Sequence, residues 1–438
     1  MREKLTINKK ISQLKFKKPS RLCNFILMTV AGALYKKSCN VTIDSSVDLK
    51  KYKGKPLLIV SNHASRMDYA FVGFALKGRR INYVAAENEF HRSKFSFAFS
   101  MAHIIPKKNF VPDITTIRGM AQVLRKEKEA TVCIFPCGMS TISGAQQPSM
   151  LGSGKMLKHF GVTVLGVRIH GGYFVSPKFD ITERHGKVEV ELFEMFSPEQ
   201  LSEMSPDEIQ EKMDEQIYTD DCEWNKERQN SYKVPQNGAA YNLHELLYKC
   251  PACGKEMQMK GEGDTIRCLA CGNTATLDDK YNLRPTKGSK VPENIVKWYN
   301  NQRRALRRQI QQGNFVLEEH VKLGVLPDYD YLTHNEICKF VGDGVLRLDM
   351  EGLHFNGVRD EKPFEVHIKS DLVNVLCIPT DGTLCYTYAS GEFLEFVPDS
   401  PSSIRWSLAV EEVYRANGGK WQNYKWFDYE HDDPLIEG

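Results

Sequence analysis

One stretch of the chain decides the fold of its N-terminal part: Pro56-Leu-Leu-Ile-Val60, followed directly by Ser61-Asn-His-Ala-Ser-Arg-Met-Asp68. The first run is continuously apolar, which is typical of a β-strand buried on both faces. The second run is mostly polar and carries His63 and Asp68. In an open α/β sheet, ligands bind beyond the carboxyl ends of the strands. We therefore expect His63 to lie where chemistry takes place.

The spacing of His63 and Asp68 predicts a paired base. Asp68 falls within the first turns of the expected helix, so a chain that turns from strand to helix can return its carboxylate to the imidazole. The carboxylate then keeps one ring nitrogen protonated and leaves the other free as a base. Such a base can remove a proton from an alcohol that attacks a thioester carbonyl, without a covalent enzyme intermediate. The alternative is a surface histidine that caps a helix.

The chain alternates between strand and helix patterns as far as about residue 196. Further strands are predicted at Ile81–Ala85, Thr131–Phe135, Val162–Ile169 and Val188–Phe193. Residues 114–128 have an apolar face at helical spacing, and residues 197–230 are polar and helical. This rhythm predicts an α/β domain over residues 41–235, with helices on both faces of its sheet.

The string from Ser61 to Asp68 resembles the Asn-His-x-Ser-x-x-Asp block of the 1-acylglycerol-3-phosphate (lysophosphatidate) acyltransferase family. The matching residues are Asn62, His63, Ser65 and Asp68. Four more blocks resemble those of the family in the same order: Ile105-Pro-Lys107, Phe135-Pro-Cys-Gly138, Gly152–Lys155 and Val164-Leu-Gly-Val167. The resemblance covers roughly residues 20–215.

This resemblance implies a mixed sheet flanked by helices and an O-acyltransferase activity. The donor would be an acyl thioester, either acyl-CoA or acyl-carrier protein, and the acceptor a hydroxyl of a lysophospholipid or related lipid. No organic cofactor is implied. His63 and Asp68 would be catalytic. The residues implied to bind substrate are Asn62, Ser65, Lys107, Cys137, Gly138, Ser140 and Lys155.

Several positions depart from the family pattern. The family's Glu is Cys137, the Arg three residues later is Ser140, the Arg of the second block is Lys107, and a Pro is Gly166. Lys107 keeps its charge but lacks the planar fork of arginine, and Ser140 has no charge. Recognition of a phosphomonoester acceptor is therefore in doubt. The residues that can compensate are Arg66, Lys108 and Lys155. Cys137 is either a nucleophile or, as we prefer, a small neutral pocket residue, because no histidine is near it in sequence.

Two CxxC pairs predict a structural metal site. They are Cys250-Pro-Ala-Cys253-Gly and Cys268-Leu-Ala-Cys271-Gly, and the other eight of the twelve cysteines are scattered singly. Two such knuckles offer four thiolates in the tetrahedral arrangement that zinc favours. We expect a zinc ribbon over residues 243–287, with rubredoxin-like iron as the alternative.

The N-terminal residues 1–40 predict a membrane-surface anchor. Eight basic residues stand against one acid, Glu3, before residue 22. The apolar run Leu22–Leu34 is shorter than the roughly 20 residues of a spanning helix. We expect peripheral binding to phospholipid at the inner, cytoplasmic face of the membrane. The alternative is a basic helix that packs on the protein's own core.

Residues 290–438 predict a further, mainly β domain. A basic helical connector carries Arg303, Arg304, Arg307 and Arg308, which we interpret as a solvated face with phospholipid contact as the alternative. Short strands are expected from about residue 335, including Val373–Ile378, and a closing helix at about Ile404–Arg415. This order weakly resembles a pleckstrin-homology-like barrel.

Three hypotheses remain at this point. The first is an acyltransferase acting on a lipid hydroxyl. The second is a lipid-binding or scaffold protein that has lost the reaction, which the departures at Cys137 and Ser140 motivate. The third is a nucleic-acid-binding or partner-binding protein in which the zinc ribbon is the binding element. The third explains neither the ordered blocks nor the apolar segment, so we expect no nucleic-acid partner.

Overall fold

A seven-stranded mixed sheet forms the centre of the N-terminal domain. The computed structural model describes residues 14–36, 38–92, 96–180, 182–326, 338–379 and 384–419, together with Tyr424. The strands of this sheet are β1 (Val41–Ser45), β2 (Leu57–Ser61), β3 (Asn82–Ala86), β4 (Ile105–Lys107), β5 (Thr131–Ile134), β6 (Thr163–His170) and β7 (Val188–Phe196). Their order is β1-β7-β6-β2-β5-β3-β4, in which β7 runs antiparallel to β6 and the central strands are parallel.

Strand β2 is buried on both faces, as its apolar run predicts. Leu57 and Ile59 pack in one hydrophobic cluster, and Leu58 and Val60 pack in another on the opposite face. All four side chains are fully buried. The α/β arrangement expected from the alternating pattern is therefore present, and its sheet is mixed, as the resemblance implies.

The helices predicted at residues 114–128 and 197–230 are present, the second region as three separate helices. The helices of this domain are α1 (Arg21–Ala31), α2 (Asp68–Ala75), α3 (Glu89–Arg92), α4 (Ser96–Met101), α5 (Ile114–Lys126), α6 (Ser153–Phe160), α7 (Gly172–Val175), α8 (Pro198–Glu203), α9 (Pro206–Ile217) and α10 (Asp221–Arg228). Helix α9 starts with a capping box, in which Ser205 and Glu208 satisfy each other's backbone N–H groups.

Helix α1 packs on α2 and leaves an apolar stripe exposed. The Met28 sulfur lies over Gly73 of α2, where an added Cβ would be only 2.6 Å from it. The exposed residues are Leu22, Phe25, Ile26, Val30 and, in the π-helical turn Gly32–Lys36 that follows, Leu34. Among the described residues, no helix is long and apolar enough to cross a bilayer. Residues 1–13 of the predicted anchor lie outside the described part of the chain.

A small antiparallel sheet follows the first domain. After helix α11 (Leu243–Leu246) come β8 (Met259–Glu262), β9 (Thr265–Cys268), β10 (Thr274–Leu277) and β11 (Leu283–Pro285), in the order β11-β10-β9-β8. The small sheet contacts the first domain, because the Tyr281 hydroxyl donates to the Phe174 carbonyl of α7 at 2.8 Å.

The C-terminal part contains a six-stranded antiparallel sheet. Helix α12 (Ile295–Gln311) precedes β12 (Leu317–Val325), β13 (Lys339–Leu348), β14 (Gly352–Arg359), β15 (Lys362–Lys369), β16 (Cys385–Ala389) and β17 (Glu392–Pro398), and helix α13 (Ser403–Ala416) follows. The order is β15-β14-β13-β12-β17-β16. In the described residues β15 and β16 are the edges of one sheet, so the likeness to a pleckstrin-homology barrel stays a prediction.

One prediction for this part of the chain is wrong, and one strand was not predicted. Val373–Ile378 is not a strand, and only Cys377 forms an isolated bridge, with Tyr386. The segment is apolar because it is buried beneath α13, where Ser407 donates to the Leu376 carbonyl. Strand β12 was not anticipated, because charged residues interrupt its apolar alternation.

The basic face of α12 is solvated only in part, since Arg308 is exposed whereas Arg303 and Arg307 form ion pairs. Arg303 is buried and pairs with Glu411 at 2.6 Å and Glu412 at 3.1 Å. Arg307 pairs with Glu412 at 2.9 Å. These acids belong to α13, more than a hundred residues along the chain, so local sequence could not reveal the pairing.

Candidate active site

The turn from β2 into α2 brings His63 and Asp68 together. Nδ1 of His63 lies 2.8 Å from Oδ2 of Asp68. Asp68 is the first residue of α2 and is buried, whereas the His63 side chain is 24% exposed. The tautomer that satisfies both groups has Nδ1–H donating to the carboxylate, which leaves Nε2 unprotonated. The histidine therefore carries a basic nitrogen, and part of its ring faces solvent.

Ser65 fixes the Asp68 carboxylate. Its backbone N–H donates to the carboxylate at 3.0 and 3.1 Å, and its hydroxyl donates to Oδ1 at 2.8 Å. The negative charge also lies at the N-terminus of α2, where the helix dipole favours an anion. These contacts hold the buried carboxylate in one orientation. Ser65 is itself buried and contacts the Asp68 carboxylate of the pair.

Asn62 ties the end of β2 to β6. Its side-chain amide donates to the Ile169 carbonyl and to the Thr219 hydroxyl at 2.9 Å, and its oxygen accepts from the Ile169 N–H at 2.8 Å. The residue is fully buried. A buried amide with three hydrogen bonds fixes the local backbone, so Asn62 orients His63 rather than reaching into open space.

The loop after β5 packs directly on His63. The Phe135 ring stacks on the imidazole, with 4.6 Å between centroids. The Thr141 N–H donates to the His63 carbonyl at 2.8 Å, and the His63 N–H donates to the Gln146 side chain at 3.3 Å. The Phe135-Pro-Cys-Gly138 block and the motif histidine are therefore neighbours.

Cys137 is buried in this loop, and its sulfur donates to the Met139 carbonyl. Burial raises the pKa of the thiol to about 12, so it is protonated near neutral pH and is not a thiolate nucleophile. Gly138 has a φ of +77°, and an added Cβ would lie 2.9 Å from the Met150 sulfur. The loop geometry therefore requires glycine at this position.

The candidate cationic residues are dispersed. Lys107 donates to the Lys108 carbonyl, and burial lowers the pKa of its ammonium group. Lys155 is exposed on α6 and forms no hydrogen bond or ion pair within the described part of the chain. Arg66 pairs with Glu183 at 3.2 Å, and Lys108 donates to the Gly391 carbonyl at 2.9 Å.

Ser140 has a cationic neighbour that the sequence did not indicate. Nζ of Lys178 lies 3.1 Å from the Ser140 hydroxyl, and Lys178 is only 5% exposed. Lys178 follows β6 and α7, in a segment that contains no recognisable motif. Phe135 and Gln146 were also missed as neighbours of His63; Phe135 stands in a quoted block, but Gln146 has no sequence signal.

Gly166 is a packing position. An added Cβ would lie 2.3 Å from the Phe193 ring, so a proline cannot fit here without displacing that ring. Glycine at this position therefore leaves room for the Phe193 ring of β7. This departure from the family pattern does not involve the candidate site.

The C-terminal sheet contacts the same loops. Asn109 follows β4 and donates to the Gly138 carbonyl at 2.9 Å and to the Tyr386 hydroxyl at 3.1 Å. The Tyr388 hydroxyl donates to Glu87, which follows β3, at 3.3 Å. The hairpin β16–β17 therefore covers the carboxyl ends of β3, β4 and β5.

The four cysteines of the CxxC pairs converge. Sγ of Cys250 lies 3.7 Å from Sγ of Cys271, and Sγ of Cys253 lies 3.8 Å from Sγ of Cys268. Sulfurs about 2.3 Å from a tetrahedral zinc ion would be about 3.8 Å apart. The left-handed Gly254 and Gly272 close the two turns. This cluster fits a metal ion such as zinc.

Comparison with known proteins finds a similarity in the first domain. Residues 41–170, which contain β1 to β6 and the His63–Asp68 pair, match the family model described as Acyltransferase. A search of curated proteins finds no match.

Among solved structures, the chain is similar to the 1-acyl-sn-glycerophosphate (LPA) acyltransferase PlsC from Thermotoga maritima. The identity is 18% and the TM-score 0.36, over 44% of this chain and 78% of that chain.

Proposed function

We propose that this protein is an O-acyltransferase that moves a fatty acyl group from an acyl thioester to a hydroxyl of a lysophospholipid or related lipid at a membrane surface. The observation that carries the proposal is the 2.8 Å contact between His63 and Asp68 within the residues that match the acyltransferase family model. The donor is acyl-CoA or acyl-carrier protein, and no organic cofactor is required.

In the proposed reaction, Nε2 of His63 takes the proton of the acceptor hydroxyl as its oxygen attacks the thioester carbonyl carbon. The tetrahedral intermediate collapses with cleavage of the carbon–sulfur bond. The departing thiolate takes the proton from the imidazolium, which yields an ester and a free thiol. Asp68 stabilises the imidazolium and keeps the ring in the required tautomer. Asn62 and Ser65 hold the pair in place.

We further propose peripheral attachment to anionic phospholipid at the cytoplasmic, inner face of the membrane. The apolar stripe on α1 supports this, since Leu22 and Phe25 are each 67% exposed, and Lys15, Lys17 and Lys18 precede the helix. Met28 of α1 packs on Gly73 of α2, and Gly73 lies five residues, or about 7.5 Å of helix rise, after Asp68, so α1 is attached to the helix that carries the proposed catalytic carboxylate. A lipid acceptor would then need little displacement from the bilayer.

We also propose that the four-cysteine cluster holds zinc in a structural role. Its four cysteine ligands leave no position for a reacting group. The ion would stabilise the turns that support Tyr281 and its contact with Phe174 of α7.

The alternative is a lipid-binding or scaffold protein on the acyltransferase fold, motivated by Cys137 and Ser140. One experiment separates the two. Purified protein is incubated with labelled acyl-CoA or acyl-carrier protein and total membrane lipid, and the lipid that gains label is identified. Transfer to a specific lipid supports the enzyme. Binding of lipid without transfer from either donor would support the scaffold.

A further inference from the structure

Asn109 joins the loop after β4 to two other parts of the chain. Its loop is fixed, because the Asp113 carboxylate caps α5 and also accepts the backbone N–H that precedes Asn109, at 2.9 Å. The Asn109 side chain is 7% exposed. Its amide donates to the Gly138 carbonyl at 2.9 Å and to the Tyr386 hydroxyl at 3.1 Å. Asn109 therefore connects the C-terminal sheet with the loop after β5.

The Gly138 carbonyl belongs to a tight turn that follows β5. The Gly138 N–H donates to the Phe135 carbonyl at 3.1 Å, and Pro136 occupies the position of the turn that favours proline. The Phe135 ring stacks on the His63 imidazole, with 4.6 Å between centroids and 28° between the ring planes. Asn109 thus bonds to the last residue of the turn, and the first residue of the same turn covers the histidine.

Backbone hydrogen bonds hold the rest of this loop. The Met150 N–H donates to the Pro136 carbonyl at 2.7 Å, and the Thr141 N–H donates to the His63 carbonyl at 2.8 Å. Loss of the Asn109 amide would leave both bonds in place. We therefore expect the loop to persist without that amide, with the Gly138 end of its turn displaced.

The C-terminal part of the chain reaches the surroundings of His63 at a second point. The Tyr424 hydroxyl donates to the Gln146 carbonyl at 3.2 Å. The side-chain oxygen of Gln146 accepts from the His63 N–H at 3.3 Å. Contacts from the C-terminal residues therefore bear on the loop after β5 at two separate places, and both places adjoin the histidine.

We propose that Asn109 is a positioning residue for the general base. With Tyr386 it holds the turn that keeps the Phe135 ring on His63, so the C-terminal sheet is a component of the active site. This inference rests on the proposed role of His63. Catalytic groups must be held within about 0.5 Å of the productive geometry. A displacement of about 1 Å, caused by a residue that does not touch the substrate, can lower the rate about 10²-fold.

The kinetic test removes the amide and keeps the volume of the side chain. The variant is Asn109→Leu. The matched control is Asn225→Leu, because Asn225 is also buried and also joins two parts of the chain, donating to the Asn230 carbonyl at 3.0 Å and to the Lys280 carbonyl at 3.1 Å. Steady-state kinetics are measured with an acyl thioester and the lipid that wild type acylates.

We expect kcat of Asn109→Leu to fall about 10- to 100-fold, because the base is misaligned in the transition state. KM should stay within about threefold of wild type, since binding of the ground state does not depend on the base. Thermal melting measures the loss of stability in both variants. Asn225→Leu should be destabilised but retain the wild-type kcat.

A spectroscopic signature tests the position of the Phe135 ring without any turnover. In protein labelled with ¹³C-histidine, the His63 ring resonances are assigned by their absence from His63→Ala. The ring current of Phe135 shifts these resonances, and Phe135→Leu marks their position without it. Asn109→Leu should move them toward the Phe135→Leu position. Tyr386→Phe should move them less in the same direction, because Asn109 keeps its bond to Gly138, and Asn225→Leu should leave them unchanged.

Three results would overturn the inference. One is a folded Asn109→Leu protein with the wild-type kcat. Another is a lowered kcat with unmoved His63 resonances, since the effect would not pass through Phe135. The third is an equal fall of kcat in Asn225→Leu. If Asn109→Leu does not fold, Tyr386→Phe decides, and unmoved His63 resonances in that variant overturn the inference. If wild type transfers acyl groups to no lipid, the proposed function fails, whereas the resonances still show whether Asn109 positions the Phe135 ring.

Discussion

The side-chain amide of Asn109 donates a hydrogen bond to the hydroxyl of Tyr386 at 3.1 Å. The two residues are 277 positions apart, one after β4 of the N-terminal domain and the other on β16 of the C-terminal sheet. Both are buried, so the contact is a part of the core between the two domains. The C-terminal sheet is therefore packed on the loops that adjoin His63.

Replacing Tyr386 by Phe should weaken this junction. The ring remains, but the buried Asn109 amide loses one partner, which costs about 1–3 kcal/mol. We expect that decrease in the free energy of unfolding, measured by urea denaturation. Tyr241→Phe is the control, because the Tyr241 hydroxyl has no partner among the described residues. An unchanged stability in Tyr386→Phe would show that the junction contributes nothing to the fold.

The buried ion-pair network between α12 and α13 should make the protein sensitive to acid. Burial tends to raise the pKa of Glu412, but Arg303, Arg415 and Arg307 outweigh it and hold the pKa below its usual value of 4.5. A carboxyl with a lowered folded pKa stabilises above its unfolded pKa, and this contribution is lost as pH falls through the folded value.

Glu412→Gln should therefore lower the stability at pH 7 by about 3–5 kcal/mol, because it leaves buried arginines without their charge partner. The difference from wild type should shrink as the pH falls below about 4.5. Denaturation curves at several pH values measure both effects. If the difference in the free energy of unfolding between wild type and Glu412→Gln stays constant down to pH 3, the Glu412 carboxylate does not cause the acid sensitivity.

The four-cysteine cluster should bind one metal ion per chain. Metal analysis should find zinc in wild type and lose it in Cys250→Ser, whereas Cys23→Ser, outside the cluster, should retain it. Because metal-binding free energy becomes folding free energy, a chelator should increase hydrogen exchange first in residues 243–287. Metal-free protein with freely titrating thiols and unchanged exchange would refute the site.

The apolar stripe on α1 should bind vesicles. The double variant Leu22→Gln and Phe25→Gln should reduce sedimentation with anionic vesicles, since two exposed apolar side chains no longer enter the bilayer interface. Leu372→Gln is the control, because Leu372 is also 67% exposed but lies in the turn after β15. Equal sedimentation of the double variant and wild type would place the attachment elsewhere.

The sequence predicted those features whose interacting residues lie close together along the chain. The apolar run of β2 and the five-residue spacing of His63 and Asp68 predicted their contact, because one turn of chain connects them. The spacing of the cysteines likewise predicted that they converge. Each of these features depends on neighbours within about twenty residues.

Features that depend on distant partners could not be predicted. Lys178 reaches Ser140 only because β6 lies beside β2 in the sheet, and Arg303 is buried only because α13 supplies two acids. Strand β12 has charged residues in its alternating pattern, and its pairing with β13 and β17 determines its structure. An apolar run such as Val373–Ile378 indicates burial but not whether a strand partner is present.

The central claim is that His63 acts as the general base, and the acyl-transfer rate of His63→Ala tests it most directly. With labelled acyl thioester and the lipid acceptor at saturation, we expect the rate to fall by about 10²–10⁴. The melting temperature should be retained, and His159→Ala, an exposed histidine on α6, should transfer at the wild-type rate. A folded His63→Ala protein with the full wild-type rate would contradict the account.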